Sequence, residues 1–273
     1  MNRLFVANKP SGVSSNRYLS ALKRKYGARK GGFSGTLDPF ASGTLVVALG
    51  ETTRLFRFMN FEPKRYIATL WLGASSPSLD NENIAEVADV PPLPRDLVAD
   101  TIATLTGKIE FIPPKFSAKN IAGRRAYDLA RAGVEFELAP CTMEIYSARL
   151  LHYCHPFVTY EIALSRGGYV RSHAQMVAGS LGMAGTLSAL HRASEGNFIY
   201  ENERAIDIKS ALNLSENVYL KSVDDLKFGR PLERANFKTQ NDGKYLINLG
   251  ENLYSIIEIS AQKVSYLLNG ITL

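Results

Sequence analysis

A glycine-rich stretch, Gly31-Gly32-Phe33-Ser34-Gly35-Thr36-Leu37-Asp38-Pro39, runs almost directly into the apolar segment Thr44–Leu49. This junction constrains the fold more than any other part of the chain. Glycines permit turns and close backbone approach, while a short, continuous apolar run bounded by turn residues reads as a buried strand. The chain must therefore deliver a tightly turning loop, with Asp38 in it, to the end of a core strand. Upstream, Leu4–Ala7 reads as a strand and Ser15–Tyr26 as a helix. Ser14 or Ser15 is placed to cap that helix, Tyr18, Leu19, Leu22 and Tyr26 form its apolar stripe, and Gly27 stops it.

Downstream, Lys64–Leu72 reads as a strand, and Asp96–Leu105 as a helix ended by Gly107. Arg124–Ala132 has helical periodicity up to Gly133. Met143–Tyr153 and Phe157–Ser165 read as a hairpin about His155-Pro156, and Tyr169–Leu181 as a helix before Gly182. Residues Asn213–Asn217 read as a linker to a small, mainly β module with strands Tyr245–Leu249, Tyr254–Ile259 and Val264–Leu268. Strands and helices mix without regular βαβ alternation, so the expected class is α+β. The implied division is residues 1–214 and 215–273.

Charge is distributed unevenly. The net charge is +6, yet Met1 to Leu37 holds no acidic residue among Arg3, Lys9, Arg17, Lys23, Arg24, Lys25, Arg29 and Lys30. Asp38 is the first carboxylate of the chain. A second basic stretch sets Lys115, Lys119, Arg124, Arg125 and Arg131 against Asp128 alone. Two accounts stay open at this level: contacts to a polyanion's phosphates, or solvated helix faces. Cys141 and Cys154 are too few for a disulfide framework, and no run is long and apolar enough for a bilayer helix, so a cytoplasmic protein is expected. The acid-free start with Arg3 has something of a transit peptide, but the strand-like Leu4-Phe5-Val6 assigns it to the folded protein.

A carboxylate in a cationic, glycine-hinged loop should stay ionised and close to a phosphorylated ligand, as a nucleophile must. The plainer account of an isolated Asp-Pro is an Asx-turn. Other catalytic templates fail. Ser34 is not in a G-x-S-x-G elbow, because Thr36 takes the last glycine position. No G-x-x-x-x-G-K-[ST] loop occurs, and Phe40 stands where a phosphatase of the aspartyl-phosphate type has its second aspartate. His152, Cys154 and His155 lack a companion ligand cluster, so no metal site is expected there.

Gly35–Leu45 resembles the catalytic motif of the TruB family of tRNA pseudouridine synthases. Asn8–Ser15 resembles the family's opening Lys-Pro-x-Gly-x-(Thr/Ser)-Ser, and Lys64-Arg65-Tyr66 its Lys-x-Tyr strand. Pro113–Ala118 with Gly123–Gly133 resembles its RNA-clasping insertion, placed at about residues 113–135. Ser165–Ser172 resembles its Gly-x-Tyr-Ile-Arg motif, and Leu187–Arg192 its Leu-x-x-Leu-Arg-Arg stretch. The blocks fall in the family's order between about residues 4 and 198.

The resemblance implies the pseudouridine synthase fold, a mixed, mainly antiparallel sheet flanked by helices with a shortened PUA-like C-terminal module. It implies isomerisation of the T-loop uridine (position 55) of tRNA by a monomer that contacts the T-arm. No cofactor, metal or obligatory protein partner is implied, because uridine and pseudouridine are isomers. Asp38 would attack the target nucleoside, Tyr66 would stack on the flipped uracil and assist proton removal, and Arg171 would pair with Asp38. Lys9 and Tyr169 would support the pocket, and Lys119, Arg124 and Arg125 would hold RNA. Phe33 stands where the family commonly has histidine and would replace it by stacking. Met176 replaces a usual acidic residue, and Ser75–Asn83 keeps only Asp80 of a Thr-Asp-rich loop. The rival readings are a non-catalytic RNA-binding protein or RNA chaperone with this fold, and a pseudouridine synthase for another RNA.

Overall fold

In the computed structural model, which describes residues 1–261 and 263–272, the first strand spans Arg3–Lys9 and pairs antiparallel with Ser42–Leu49, Phe5 facing Val47. Both strands are almost wholly buried, which explains why their sequences are apolar without alternation. The helix Ser15–Lys25 begins at Ser14, whose hydroxyl accepts from the Arg17 N–H, and packs Leu22 onto this pair. Gly27 follows in the left-handed region, where a glycine ends a helix without strain.

The main sheet has eight strands. Its order is Arg3–Lys9, Ser42–Leu49, Gly185–Glu195, Lys64–Leu72, Phe157–Leu164, Cys141–Cys154 and Gly107–Phe111, with Gly31–Phe33 pairing the outer length of Ser42–Leu49. Its pairings are antiparallel except between Gly185–Glu195 and Ser42–Leu49, which run parallel through His191 and Arg192. That junction depends on Gly43: its φ is +107°, and a Cβ there would strike the Arg192 carbonyl. The helices Arg95–Thr104 and Val170–Ser180 cover one face, burying Val98, Ile102, Val170, Ala174 and Val177 against Leu70, Leu72, Ile162 and Leu187. Complete burial of such side chains contributes roughly 1.5–3 kcal/mol each. Among the described residues no helix is long and apolar enough to cross a membrane.

Two expectations change, and one element is new. Arg124 and Arg125 are not helical: they form a two-residue ribbon with Asn120–Ile121, and the helix is only Ala126–Arg131. Gly123 at φ +86° makes the turn, and the Asn120 side chain accepts its N–H at 2.8 Å. The linker read at Asn213–Asn217 contains a strand, Ser215–Asn217, parallel to Tyr245–Ile247. Asn217 is buried, donating to the Thr239 carbonyl at 2.7 Å and accepting its N–H at 2.9 Å. Too short for a visible period, this strand is fixed by tertiary contacts. Finally, Gly50–Phe58, unassigned from sequence, is a 3₁₀ helix.

The C-terminal strands Ser215–Asn217, Gly243–Gly250, Leu253–Ser260 and Lys263–Thr272 form a second sheet in that order. Leu246, Tyr254, Ile256, Leu268 and Ile271 share one cluster with Leu4, Val6, Val46 and Leu55. The small sheet is thus packed onto the back of the first strands.

Candidate active site

The loop carrying Asp38 is held at nearly every turn. Ser15 Oγ donates to the Leu37 carbonyl at 2.8 Å and accepts the Leu37 N–H at 2.9 Å. Gly12 N–H donates to Pro39 O at 2.8 Å, and Ala41 N–H to Asp38 O at 3.1 Å. Arg192 donates through Nη2 to Gly35 O at 2.8 Å and through Nε to Thr44 O at 2.7 Å, bracing both ends of the loop. Lys9 is fully buried, and its ammonium donates to the carbonyls of Pro10, Val13 and Pro39. Burial lowers its pKa from 10.5 to about 8 against the pull of Asp38. A strand–turn–helix start and a distant arginine therefore fix the loop backbone.

Asp38 meets Arg171, which the first turn of Val170–Ser180 carries into the cleft. Arg171 Nη2 lies 2.8 Å from Asp38 Oδ2, and Nη1 lies 3.4 Å from Asp80 Oδ2. The guanidinium also donates to Ser78 O at 2.7 Å and Phe116 O at 2.8 Å, so its planar fork is engaged on both edges. Asp80 is buried in turn and accepts from the Ser78 hydroxyl at 2.5 Å and the Glu82 N–H at 3.1 Å. Burial pushes the Asp38 carboxyl above its ordinary value. Arg171 is the largest opposing influence, Asp80 adds to the rise, and Lys9 and Arg192 oppose it. Such opposition between desolvation and a paired cation is common where a carboxylate must react.

Asp38, Tyr66, Tyr169, Arg171, Lys64, Lys119 and Leu190 line one cleft of about 690 Å³. Tyr66 reaches it because side chains alternate along Lys64–Leu72, with Lys64, Tyr66, Ala68 and Leu70 on the buried face. Burial raises the Tyr66 phenol's pKa, with Arg192 opposing. Behind the loop, Glu195 is fully buried. Its carboxylate lies 3.3 Å from Lys64 Nζ and 3.3 Å from Arg192 Nη1, and accepts from the Ser34 hydroxyl and the Val46 N–H. Arg192 and Glu195 are three residues apart, so strict alternation would put them on opposite faces. A register shift between Arg192 and Ser194 turns both inward.

The structure brings Asp38, Tyr66, Tyr169, Arg171 and Lys119 together. It does not bring Lys9, which lies behind the loop with its donors already used. Arg124 and Arg125 lie exposed on the ribbon beyond the cleft wall, Arg125 donating to Ala118 O at 2.6 Å. Phe33 sits in a strand opposite Val47 and packs against Leu45, Val47 and Leu49, away from the cleft lining. The sequence assigns no site role to Lys64, Asp80, Arg192 or Glu195, and offers Ser15 only as a candidate helix cap. The available signal was a set of charged side chains inside otherwise strand-like apolar segments.

Residues 23–170 match the family model described as TruB family pseudouridylate synthase (N terminal domain). A protein of Campylobacter concisus (strain 13826) named tRNA pseudouridine synthase B is 51% identical over 269 residues, covering 98% of both chains. One of Sulfurimonas denitrificans (strain ATCC 33889 / DSM 1251) with the same name is 50% identical over 272 residues, covering 99% of both. Among solved structures, a chain of a Cbf5-Nop10-Gar1 complex aligns with a TM-score of 0.67 at 18% identity, covering 99% of this chain and 84% of that one. At that identity the likeness bears on the fold alone, and it agrees with the mixed sheet and the small C-terminal sheet.

Proposed function

The chain belongs to the TruB family of pseudouridylate synthases, and on that premise we propose that it isomerises uridine to pseudouridine in tRNA, at the T-loop position 55, with Asp38 as nucleophile. The observation that carries this reading is the Asp38–Arg171 pair at 2.8 Å, in a cleft that Tyr66 and Tyr169 also line. A target base inside a folded RNA must be extruded and received between apolar and aromatic walls, and the cleft offers both. Asp38 attacks the target nucleoside, the uracil detaches and turns on Tyr66, and C5 takes the place of N1 at the sugar. Arg171 keeps the carboxylate ionised and aimed between attacks. Substrate and product have the same atoms and oxidation state, so the balanced reaction calls for no group donor.

Lys119 at the cleft, and Arg124 and Arg125 on the adjoining ribbon, contact RNA phosphates in this reading. The sheet of residues 215–273 acts as an accessory RNA contact and residues 1–214 as the catalytic body. The test incubates the purified protein with unmodified tRNA and buffer alone, then maps pseudouridine by position. Product at the T-loop uridine alone is expected. Tight tRNA binding with no pseudouridine anywhere would favour a binding protein, and product at other uridines would reassign the target.

A further inference from the structure

Two cations and one carboxylate meet behind the catalytic loop, which leaves one positive charge over. One oxygen of Glu195 accepts from Ser34 and Val46, and the other lies 3.3 Å from Arg192 Nη1 and 3.3 Å from Lys64 Nζ, so a single carboxylate faces two cations. A hub built for stability alone would need no second cation, because each further buried charge carries a desolvation penalty. Arg192 has no solvent exposure and spends Nε and Nη2 on Thr44 and Gly35. The surplus charge therefore lies on Lys64, whose side chain keeps 11% of its surface exposed and lines the cleft beside Tyr66 and Asp38.

The placement is specific. Lys64 and Tyr66 are two residues apart on one strand and face the same way, which sets their Cα atoms roughly 6–7 Å apart. The loop makes room for the ammonium: a Cβ on Gly35 would collide with Lys64 Nζ. Glu195 and Arg192 face this ammonium from one neighbouring strand and Arg166 from the turn after Phe157–Leu164, while Asp38 and Tyr66 share the cleft.

We propose that Lys64 is a catalytic residue of the isomerisation, its ammonium neutralising the negative charge on the detached uracil while that ring lies against Tyr66. The proposal rests on the function assigned above. When the C1′–N1 bond breaks, its electron pair leaves with the ring, which becomes a uracil anion with charge spread over N1 and the carbonyl oxygens. When C5 bonds to C1′, that pair is returned, the bond Asp38 formed to the nucleoside breaks with its electrons going back to the carboxylate, the C5 proton leaves, and N1 takes up a proton. Lys64 neither gains nor loses a proton. It supplies a fixed cation in a poorly solvated site, where such a charge acts strongly on a developing anion. Burial holds its pKa below 10.5, with Glu195 opposing and Arg192 and Arg166 adding to the fall, so this cation is lost at lower pH than an exposed lysine.

The test measures single-turnover rates at saturating enzyme across pH, together with tRNA affinity and melting temperature. Lys64→Met should lower the rate about 100- to 1,000-fold, the loss seen when one charge-stabilising donor is removed, with affinity within about threefold of wild type. Lys64→Arg should restore the rate to within about tenfold and move the alkaline fall to higher pH, since guanidinium does not titrate there. Glu195 keeps Arg192 in Lys64→Met, so that variant should fold. If it does not, Lys64→Gln, whose amide can still donate to Glu195 without carrying a charge and which leaves the Arg192–Glu195 pair intact, should fold and show the same loss of rate. A folded variant within tenfold of wild type, or an arginine variant that neither rescues nor shifts the alkaline limb, overturns the proposal while leaving the assigned function intact. Wild-type protein that forms no pseudouridine overturns the assigned function itself.

Discussion

The catalytic loop and the basic insertion after Pro113 are built on opposite plans. Between Gly35 and Thr44 the backbone is fixed by Ser15, Lys9 and Arg192, side chains that are themselves buried. In the insertion, a two-residue ribbon and a six-residue helix bury little beyond Ala126 and Leu129, and Arg124 and Arg125 stand exposed. A reacting carboxylate has to be held within a fraction of an ångström, whereas phosphate contacts tolerate adjustment and act by charge. In this enzyme, rate should follow from the first region and affinity from the second.

The largest expected effect is at Asp38. Asp38→Asn should abolish pseudouridine formation while tRNA affinity stays within a few-fold, checked by nucleoside mapping beside a binding titration. The fold should not suffer. Burial raises the pKa of Asp38 above 3.8, so its stability contribution is fully present below the unfolded value and is lost as pH rises through the folded one. The Asn variant should therefore melt no lower than wild type at neutral pH, and its advantage should shrink in acid. A variant that makes product would break the comparison at its strongest point.

Next comes Arg171→Ala, which leaves Asp38 and Asp80 facing a cleft without their shared cation. Breaking a buried pair costs roughly 3–5 kcal/mol, an upper bound because Asp38 keeps 32% of its side-chain surface exposed. With the opposing cation gone, the Asp38 carboxyl rises further, so the acid limb of the pH–rate profile should move to higher pH. An unmoved limb with full activity would remove Arg171 from the site.

In the insertion, replacing Lys119, Arg124 and Arg125 with neutral residues should weaken tRNA binding and flatten its salt dependence. The slope should fall by roughly one unit or less for each phosphate that is no longer neutralised. An unchanged slope would make this segment an ordinary solvated face. The smallest effect on activity belongs to Phe33. Since it packs half-buried against the cluster holding Leu49, Phe33→Ala should lower the melting temperature, with a loss of stability smaller than the roughly 3–5 kcal/mol of a fully buried Phe. Rate and affinity should hold, and a fall in either without destabilisation would return Phe33 to RNA contact.

Much of this was legible in the amino-acid sequence, and the boundary has physical causes. Lys64–Leu72 is legible as a strand, and the resemblance of Lys64-Arg65-Tyr66 and Gly35–Leu45 to the family's motifs singles out Tyr66 and Asp38, which the residues alone leave open. The hub at Glu195 was hidden because it depends on a bulge after Arg192, and no period survives a one-residue shift. Asp80 appeared only as a remnant of a motif, since its importance comes from Arg171, which lies far along the chain and reaches two carboxylates at once. Phe33 and Lys9 were assigned to the pocket from their motifs. A side chain's neighbours across a sheet or behind a loop are set by tertiary packing, and that is where both residues went.

The most direct test of the separation between rate and affinity is a single-turnover series in which enzyme concentration is raised to saturation. The variant neutralised at Lys119, Arg124 and Arg125 should need more protein but reach about the wild-type rate. Asp38→Asn should bind at wild-type concentrations and form no pseudouridine at any of them. An insertion variant that saturates at a much lower rate, or an Asp38→Asn enzyme that regains activity at high concentration, would contradict the account.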